Sequence, residues 1–237
     1  MGKQGESSAR VAQTTIPDAR SLAMSDELLW PNYYDIVILP PPDVQEHAIA
    51  LSKLLEPYGS RFVLGIERFI PHISLYHIPV SAERFETFAK TVQDVASGNS
   101  GGKLRLVSLE MPVLVTDKPD WLTALHQEIV GRTGEFLDRQ YGVESTWHTD
   151  YLPRGLVEPA RRYLQQFGSP LINEVFRPHI TLTSFEDRDV LRSIPSIGFE
   201  PLTFDVGEIS ICELGPSHSC QRTIATYPLR GSIIGAL

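Results

Sequence analysis

The sequence predicts a bilobal α+β fold, in which two pseudo-symmetric α+β lobes carry antiparallel sheets that flank a central cleft. One observation is a phrase that occurs twice, as PHISL at 71–75 and as PHITL at 178–182. A second is its spacing, because His72 and His179 are 107 positions apart, close to half of the chain after residue 29. The third is a similar order of strand-like and helix-like segments around each copy. A fused duplication places matching strands side by side, so we expect both phrases in one cleft.

The first half of the chain alternates between strand and helix character. A β-branched run at 34–39 predicts a strand that three prolines stop. Asp43 is expected to cap a helix that continues to about residue 57, because apolar side chains recur there at helical spacing. Ser81 is expected to cap the next helix, to about residue 96. A strand pair is predicted over 103–115, and Pro119 begins a helix that continues towards residue 141.

The second half repeats this order with shorter elements. Its predicted elements are a helix over 159–167, the second phrase as a strand, a short helix over 188–194, and strands over 199–212 and 222–229 that are joined around Gly215 and Pro216.

Composition and charge predict a soluble cytosolic protein. Hydrophobic residues make up 42% of the chain. No apolar run approaches the roughly 18 residues of a membrane-spanning helix, so neither a membrane nor a secretory signal is expected. The net charge of −8 disfavours binding along a long nucleic acid and favours a small or terminal phosphate. We expect a flexible N-terminal extension at 1–29, which is polar and aperiodic, and a single, monomeric bilobal domain over 30–237.

The two cysteines, Cys212 and Cys220, are too few for a disulfide framework or a Cys-rich zinc site. They flank the predicted turn around Gly215, so a cross-strand disulfide is geometrically conceivable. The expected cytosol is reducing, however, and this favours two free thiols.

The two phrases carry the chemistry. Side chains alternate along a strand, so His72 and Ser74 share one face while Ile73 and Leu75 share the other; His179 and Thr181 repeat this. One imidazole can take a proton while the other gives one, and the two hydroxyls can hold the phosphate oxygens. The pattern predicts a phosphoryl-transfer site that needs neither a metal nor a cofactor.

The paired phrases resemble the motifs of the 2H phosphoesterase superfamily, and the resemblance extends over about 34–229. It implies a bilobal fold with both motifs in the cleft and metal-independent cleavage or formation of 2′-linked phosphodiesters. His72 and His179 would be catalytic, and Ser74 and Thr181 would bind phosphate. We expect hydrolysis of 2′,3′-cyclic phosphates on nucleotides or RNA ends.

Other functions stay open at this point. One is 2′-5′ RNA ligation, which is less favoured because water competes with a ribose hydroxyl that is not held in place. Another is an AMP-like nucleotide-binding module without turnover. A zinc hydrolase is the least favoured, because nothing in the sequence supplies a third ligand beside the two histidines. The remaining histidines, His47, His126, His148 and His218, also lack metal-ligand spacing.

Three further residues are predicted to contact substrate because, in an unbroken strand, their side chains would face the same side as one of the two histidines. Tyr76 would face the same side as His72, and Arg177 and Thr183 would face the same side as His179. Arg177 is equally well explained as a solvated charge, and Tyr76 as a packed strand residue. By the same alternation, His77 is expected on the opposite face from His72, buried or at an edge, without a catalytic role.

Overall fold

The computed structural model describes residues 32–141 and 156–231. The predictions for the 1–29 extension and for His148 lie outside these ranges. Within them the fold is α+β, as predicted. None of the described helices combines the length and the apolar character that a membrane crossing requires.

Eight antiparallel strands form one sheet in the order β6-β3-β4-β5-β2-β1-β7-β8. The strands are β1 (Tyr33–Ile38), β2 (Ile73–Pro79), β3 (Gly102–Glu110), β4 (Val113–Thr116), β5 (His179–Thr181), β6 (Leu202–Val206), β7 (Glu208–Gly215) and β8 (Ser219–Pro228).

The sheet consists of two four-stranded halves that meet at the two motif strands. Strands β2 and β5 pair antiparallel through Ile73 and Ile180, so the predicted pair of sheets is joined into one. Matching strands are therefore side by side, as a duplication predicts. The halves do not follow the sequence halves, however, because β1 pairs with the C-terminal strand β7, so that β1 and β2 share one half with β7 and β8. Long-range pairing decides this, and no local pattern encodes it.

Four α-helices lie within the described residues: α1 (Pro42–Leu55), α2 (Phe85–Gly98), α3 (Asp120–Thr133) and α4 (Ala160–Phe167). Helix α2 packs on β7 and β8, and α3 packs on β2 and on α2. Their apolar stripes, which include Phe88 and Val92 of α2 and Leu125 and Ile129 of α3, are fully buried in the core. This burial stabilises the helices far more than their intrinsic propensity does.

The predicted helix caps differ from the observed ones. Helix α1 has Pro41 at its N-cap and Pro42 in its first turn, so Asp43 is not the cap. Proline fits this first turn because its φ is already helical and its missing N–H would have no partner there. Ser81 makes no capping hydrogen bond and precedes a 3₁₀ turn before α2. Helix α3 ends at Thr133, where the chain tightens into another 3₁₀ turn instead of continuing towards residue 141.

Ser52 on α1 ties this helix to the segments beside the second motif. Its side chain is fully buried, its Oγ donates to the Leu182 carbonyl at 2.7 Å, and it accepts the Leu64 N–H at 2.9 Å. We expect Ser52→Ala to lower the free energy of unfolding by about 2–5 kcal/mol, because two buried backbone groups lose their partner. Urea unfolding measures this effect. The control is Ser97→Ala, which removes an exposed hydroxyl on α2; an equal loss in both variants would contradict the prediction.

Candidate active site

Both motifs line one cleft at the join between β2 and β5. His72, Ser74, His179 and Thr181 all contribute to its wall, so the structure brings together the four residues that the repeated phrase predicts. The other lining residues are Phe62, Leu64, Phe69, Ile70, His77, Leu171, Ser217, His218 and Ser219. The cleft thus combines four imidazoles and several hydroxyls with an apolar wall.

The two motif histidines are held in the same way. Nδ1 of His72 donates to the Ile70 carbonyl at 2.6 Å, and Nδ1 of His179 donates to the Arg177 carbonyl at 2.7 Å. A carbonyl only accepts, so each Nδ1 carries a hydrogen. Each neutral ring therefore keeps its lone pair on Nε2, which is the atom that can take or give a proton.

Burial lowers the pKa of both imidazoles below the usual range of histidine, but their neighbours differ. For His72, the carboxylate of Asp35 opposes this effect and raises the pKa. For His179, the hydrogen bond to Arg177 raises the pKa, whereas charges on His72, Arg177 and His77 lower it further. The charge of one motif histidine therefore disfavours a charge on the other, which favours a pair that shares one proton.

A β-bulge at Leu75 reverses the predicted facing of the residues that follow it. The neighbouring residues Ile36 and Val37 of β1 pair with Tyr76 and Ser74, so Leu75 is an extra residue in β2. An extra residue turns the next side chains to the other face of the sheet. The side chains that follow Leu75 in β2 therefore face the opposite side of the sheet from the side they would face in an unbroken strand.

His77 consequently lies on the cleft side with Ser74, and the prediction that it faces away was wrong. Its register partner is Asp35, and its Nε2 is 2.9 Å from the Ser74 Oγ. Its ring stacks on that of His218, with centroids 5.7 Å apart and planes 9° from parallel. Two histidines without any motif spacing thus join the two that the sequence singled out.

Tyr76 is turned into the core by the same bulge, so its predicted place beside the cleft was wrong. Its side chain is 1% exposed, and its hydroxyl donates to the Phe167 carbonyl at 2.6 Å. Its role is to pack β2 against the helical layer.

Arg177 and Thr183 also lie outside the cleft wall, contrary to the prediction. The Arg177 side chain is exposed and forms an ion pair with Glu110 at 2.5 Å. This agrees with the other explanation of Arg177, that of a solvated surface charge. Thr183 is fully buried, and its hydroxyl donates to the Phe62 carbonyl at 2.7 Å. Strand β5 ends at Thr181, so the alternation that the prediction assumed does not continue to Thr183.

Asp35 is another residue of the site that sequence reasoning missed. It lies in the middle of β1 and is fully buried. Its Oδ2 accepts a hydrogen bond from the Ser74 Oγ at 2.6 Å and lies 3.0 Å from Nε2 of His77 and 3.6 Å from Nε2 of His72. The available signal was an ionisable residue inside an otherwise apolar strand, which is rare without a partner.

The remaining polar groups have separable roles. His126 is buried under β2, outside the cleft wall, with Nδ1 donating to the Leu75 carbonyl at 2.8 Å. Cys212 and Cys220 are free and buried, as favoured. Within residues 32–141 and 156–231, no three His, Cys, Asp or Glu side chains are arranged to hold a metal ion.

Comparisons with known proteins identify the fold. No protein-family model matches the chain, and no curated protein matches it. Among solved structures, TT0787 of Thermus thermophilus matches with a TM-score of 0.53 at 15% identity, over 84% of this chain and 99% of that one. E. coli LigT, crystallised with 3′-AMP, matches with a TM-score of 0.51 at 20% identity, over 84% of this chain and 98% of that one. This chain has the fold of E. coli LigT.

The LigT fold is the one that the paired motifs imply, so the predicted fold is confirmed. At 20% identity the likeness to LigT concerns the course of the backbone. What the side chains of this chain can do must therefore be argued from the cleft itself.

Proposed function

We propose that this protein is a metal-independent phosphodiesterase of the 2H type, which hydrolyses 2′,3′-cyclic phosphates of nucleotides or RNA ends. One observation carries the proposal. His72 and His179 line a single cleft, and in each ring the Nδ1 is occupied by a backbone carbonyl, which leaves Nε2 for proton exchange. Two such imidazoles around one phosphate are sufficient for general acid and general base catalysis.

The proposed reaction uses one neutral and one protonated ring. The neutral imidazole takes a proton from water while the water oxygen forms a bond to phosphorus. The bond from phosphorus to one ribose oxygen breaks, and the protonated imidazole gives its Nε2 proton to that oxygen. The product is a ribonucleotide with one free hydroxyl and a phosphate monoester, and exchange with water restores the two rings.

The substrate class is supported by the chemistry of the product. Hydrolysis of a 2′,3′-cyclic adenosine phosphate at the 2′ oxygen releases 3′-AMP, and E. coli LigT was crystallised with that nucleotide.

The Thr181 hydroxyl is the phosphate donor that we propose. The Ser74 hydroxyl donates its one hydrogen bond to Asp35 and cannot donate to phosphate at the same time. The Thr181 side chain lines the cleft, and it has no hydrogen-bond partner among the described residues. It can therefore donate to a non-bridging oxygen as charge develops there.

We expect Thr181→Val to lower kcat by roughly 10²-fold, because the developing charge loses a donor. Steady-state kinetics with 2′,3′-cyclic AMP measure this. Thr203→Val is the matched control, since Thr203 is an exposed threonine in the distant strand β6. Equal activity of the two variants would remove Thr181 from the mechanism.

The decisive test of the function is turnover of 2′,3′-cyclic nucleotides by the purified protein in EDTA, with the products separated into 2′ and 3′ phosphates. Turnover that resists EDTA supports the proposal. Turnover that EDTA abolishes would contradict the metal-independent mechanism. Nucleotide binding without turnover would favour a binding module, and joining of RNA ends in preference to hydrolysis would favour a 2′-5′ ligase.

A further inference from the structure

Asp35 makes the two motif histidines unequal. Its carboxylate is fully buried on β1, and its Oδ2 contacts Ser74, His77 and His72 at 2.6, 3.0 and 3.6 Å. Within the part of the chain that the structure describes, no lysine or arginine forms an ion pair with it, and only the two imidazoles do. A buried carboxylate is costly unless a positive charge lies beside it. The carboxylate of Asp35 therefore stabilises a positive charge on an imidazole beside it.

The surroundings of His179 have the opposite character. No carboxylate among the described residues forms an ion pair with His179, and the charged groups that act on it are His72, His77 and Arg177, all of which disfavour a proton there. His72 faces Asp35 from β1 and His77 from its own strand, and His218 stacks behind His77 at the turn between β7 and β8. Among the described residues, His72 has an anionic neighbour that stabilises its charged form, and His179 has none.

We propose that Asp35 is a positioning residue that keeps the shared proton on His72, so that His72 is the general acid and His179 the general base. Ser74 and His77 hold the carboxylate of Asp35 through its Oδ2. In the reaction, Nε2 of His179 takes the proton from the attacking water. Nε2 of His72 gives its proton to the departing ribose oxygen, and the bond from that oxygen to phosphorus breaks. These catalytic consequences rest on the proposed function, whereas the location of the proton in the free protein does not.

The first test is an NMR titration of the imidazoles in the free protein, which needs no turnover. We expect His72 to keep its proton to a higher pH than His179, and Asp35→Asn to lower the pKa of His72 more than that of His179. Asp205→Asn, which removes an exposed carboxylate paired with Lys103, is the control and should change neither. A higher pKa for His179, or equal changes in both rings, would overturn the proposal. Because no substrate is present, this result is separate from success or failure of the proposed function.

The second test distinguishes acid from base by the leaving group. A 2′,3′-cyclic nucleotide is made with sulfur in place of the ribose oxygen that the wild-type enzyme releases. A thiol has a pKa of about 8.5 and leaves as a thiolate without a proton, so the general acid is no longer needed. We expect His72→Ala to lose roughly 10²–10⁴-fold activity on the oxygen substrate but less than about tenfold on the sulfur substrate.

The other variants complete the leaving-group test. His179→Ala should lose activity on both substrates, because the water still needs a base. Asp35→Asn should follow the pattern of His72→Ala, which a purely structural defect would not do. If Asp35→Asn does not fold, the comparison of the two histidine variants alone decides the assignment. The reverse pattern, with His179→Ala rescued by sulfur, would overturn it.

Discussion

Replacing either His72 or His179 by alanine is expected to lower kcat for 2′,3′-cyclic nucleotides by roughly 10²–10⁴-fold, which corresponds to about 3–5 kcal/mol of the activation barrier. The reason is that each variant loses one of the two proton transfers, while the cleft and its hydroxyls remain. The double variant should be little worse than the single ones, because groups that act together are not additive.

The measurement is steady-state kinetics in EDTA, together with thermal unfolding of each variant. His47→Ala is the matched control, because His47 lies on α1 and is absent from the cleft wall. The control should keep wild-type kcat. If either motif variant kept wild-type kcat while folded, the two-histidine mechanism would be rejected.

Replacing His126 by leucine is expected to lower the free energy of unfolding by roughly 2–6 kcal/mol at neutral pH. This ring donates from Nδ1 to the Leu75 carbonyl, accepts the Asn173 N–H on Nε2 at 2.9 Å, and stacks on Phe176 with centroids 3.9 Å apart. Leucine fills the space but leaves both backbone groups without a partner. Because Leu75 is the bulged residue, the same loss should loosen the strand that positions His77.

The stability that His126 contributes should also depend on pH. Burial lowers the pKa of His126 to about 4, so the folded state favours the neutral ring. Its contribution is complete above the unfolded pKa of about 6.5, declines as the pH falls, and is lost once the pH passes below about 4. Over that range the loss amounts to about 3 kcal/mol. Burial also lowers the pKa of His72, His179 and His218, so they act in the same direction.

Urea unfolding of the wild type and of His126→Leu at pH 7.5 and at pH 4.5 isolates this contribution. The difference between the two proteins should be large at the higher pH and smaller at the lower one. His47→Leu serves as the control, because it removes a histidine ring that packs near Phe199 on another part of the surface. A difference that stays constant with pH would show that His126 does not titrate as its surroundings require.

Most helices and strands could be predicted from local sequence patterns. The strand at 34–39, the helix after Pro40 and the strand of the second phrase were found within a few residues, because periodicity and proline are local signals. Helix ends were less accurate, as at Thr133, where apolar residues continue beyond the last helical turn. The join of the halves at Ile73 and Ile180 followed from the repeat.

The parts of the site that could not be predicted depend on pairing between distant strands. The alternation of side chains places Tyr76 in the cleft and His77 on the opposite face only if β2 is unbroken. The bulge at Leu75 reverses this, so that His77 faces the cleft and Tyr76 faces the core. Nothing in the sequence around Leu75 marks the bulge. It exists because β1 and β2 pair in a register that places Asp35 opposite His77.

The sequence by itself determined the four side chains at the centre of the cleft, because a strand that begins with the phrase turns its histidine and its hydroxyl to the same face. Only the tertiary structure decided which histidine has an anionic neighbour. Asp35 is 37 positions before His72 and 144 before His179, and it reaches one and not the other because β1 pairs with β2 and not with β5. A local pattern can specify which groups line a site, but the charges that make two equal groups unequal come from strands that meet only in the fold.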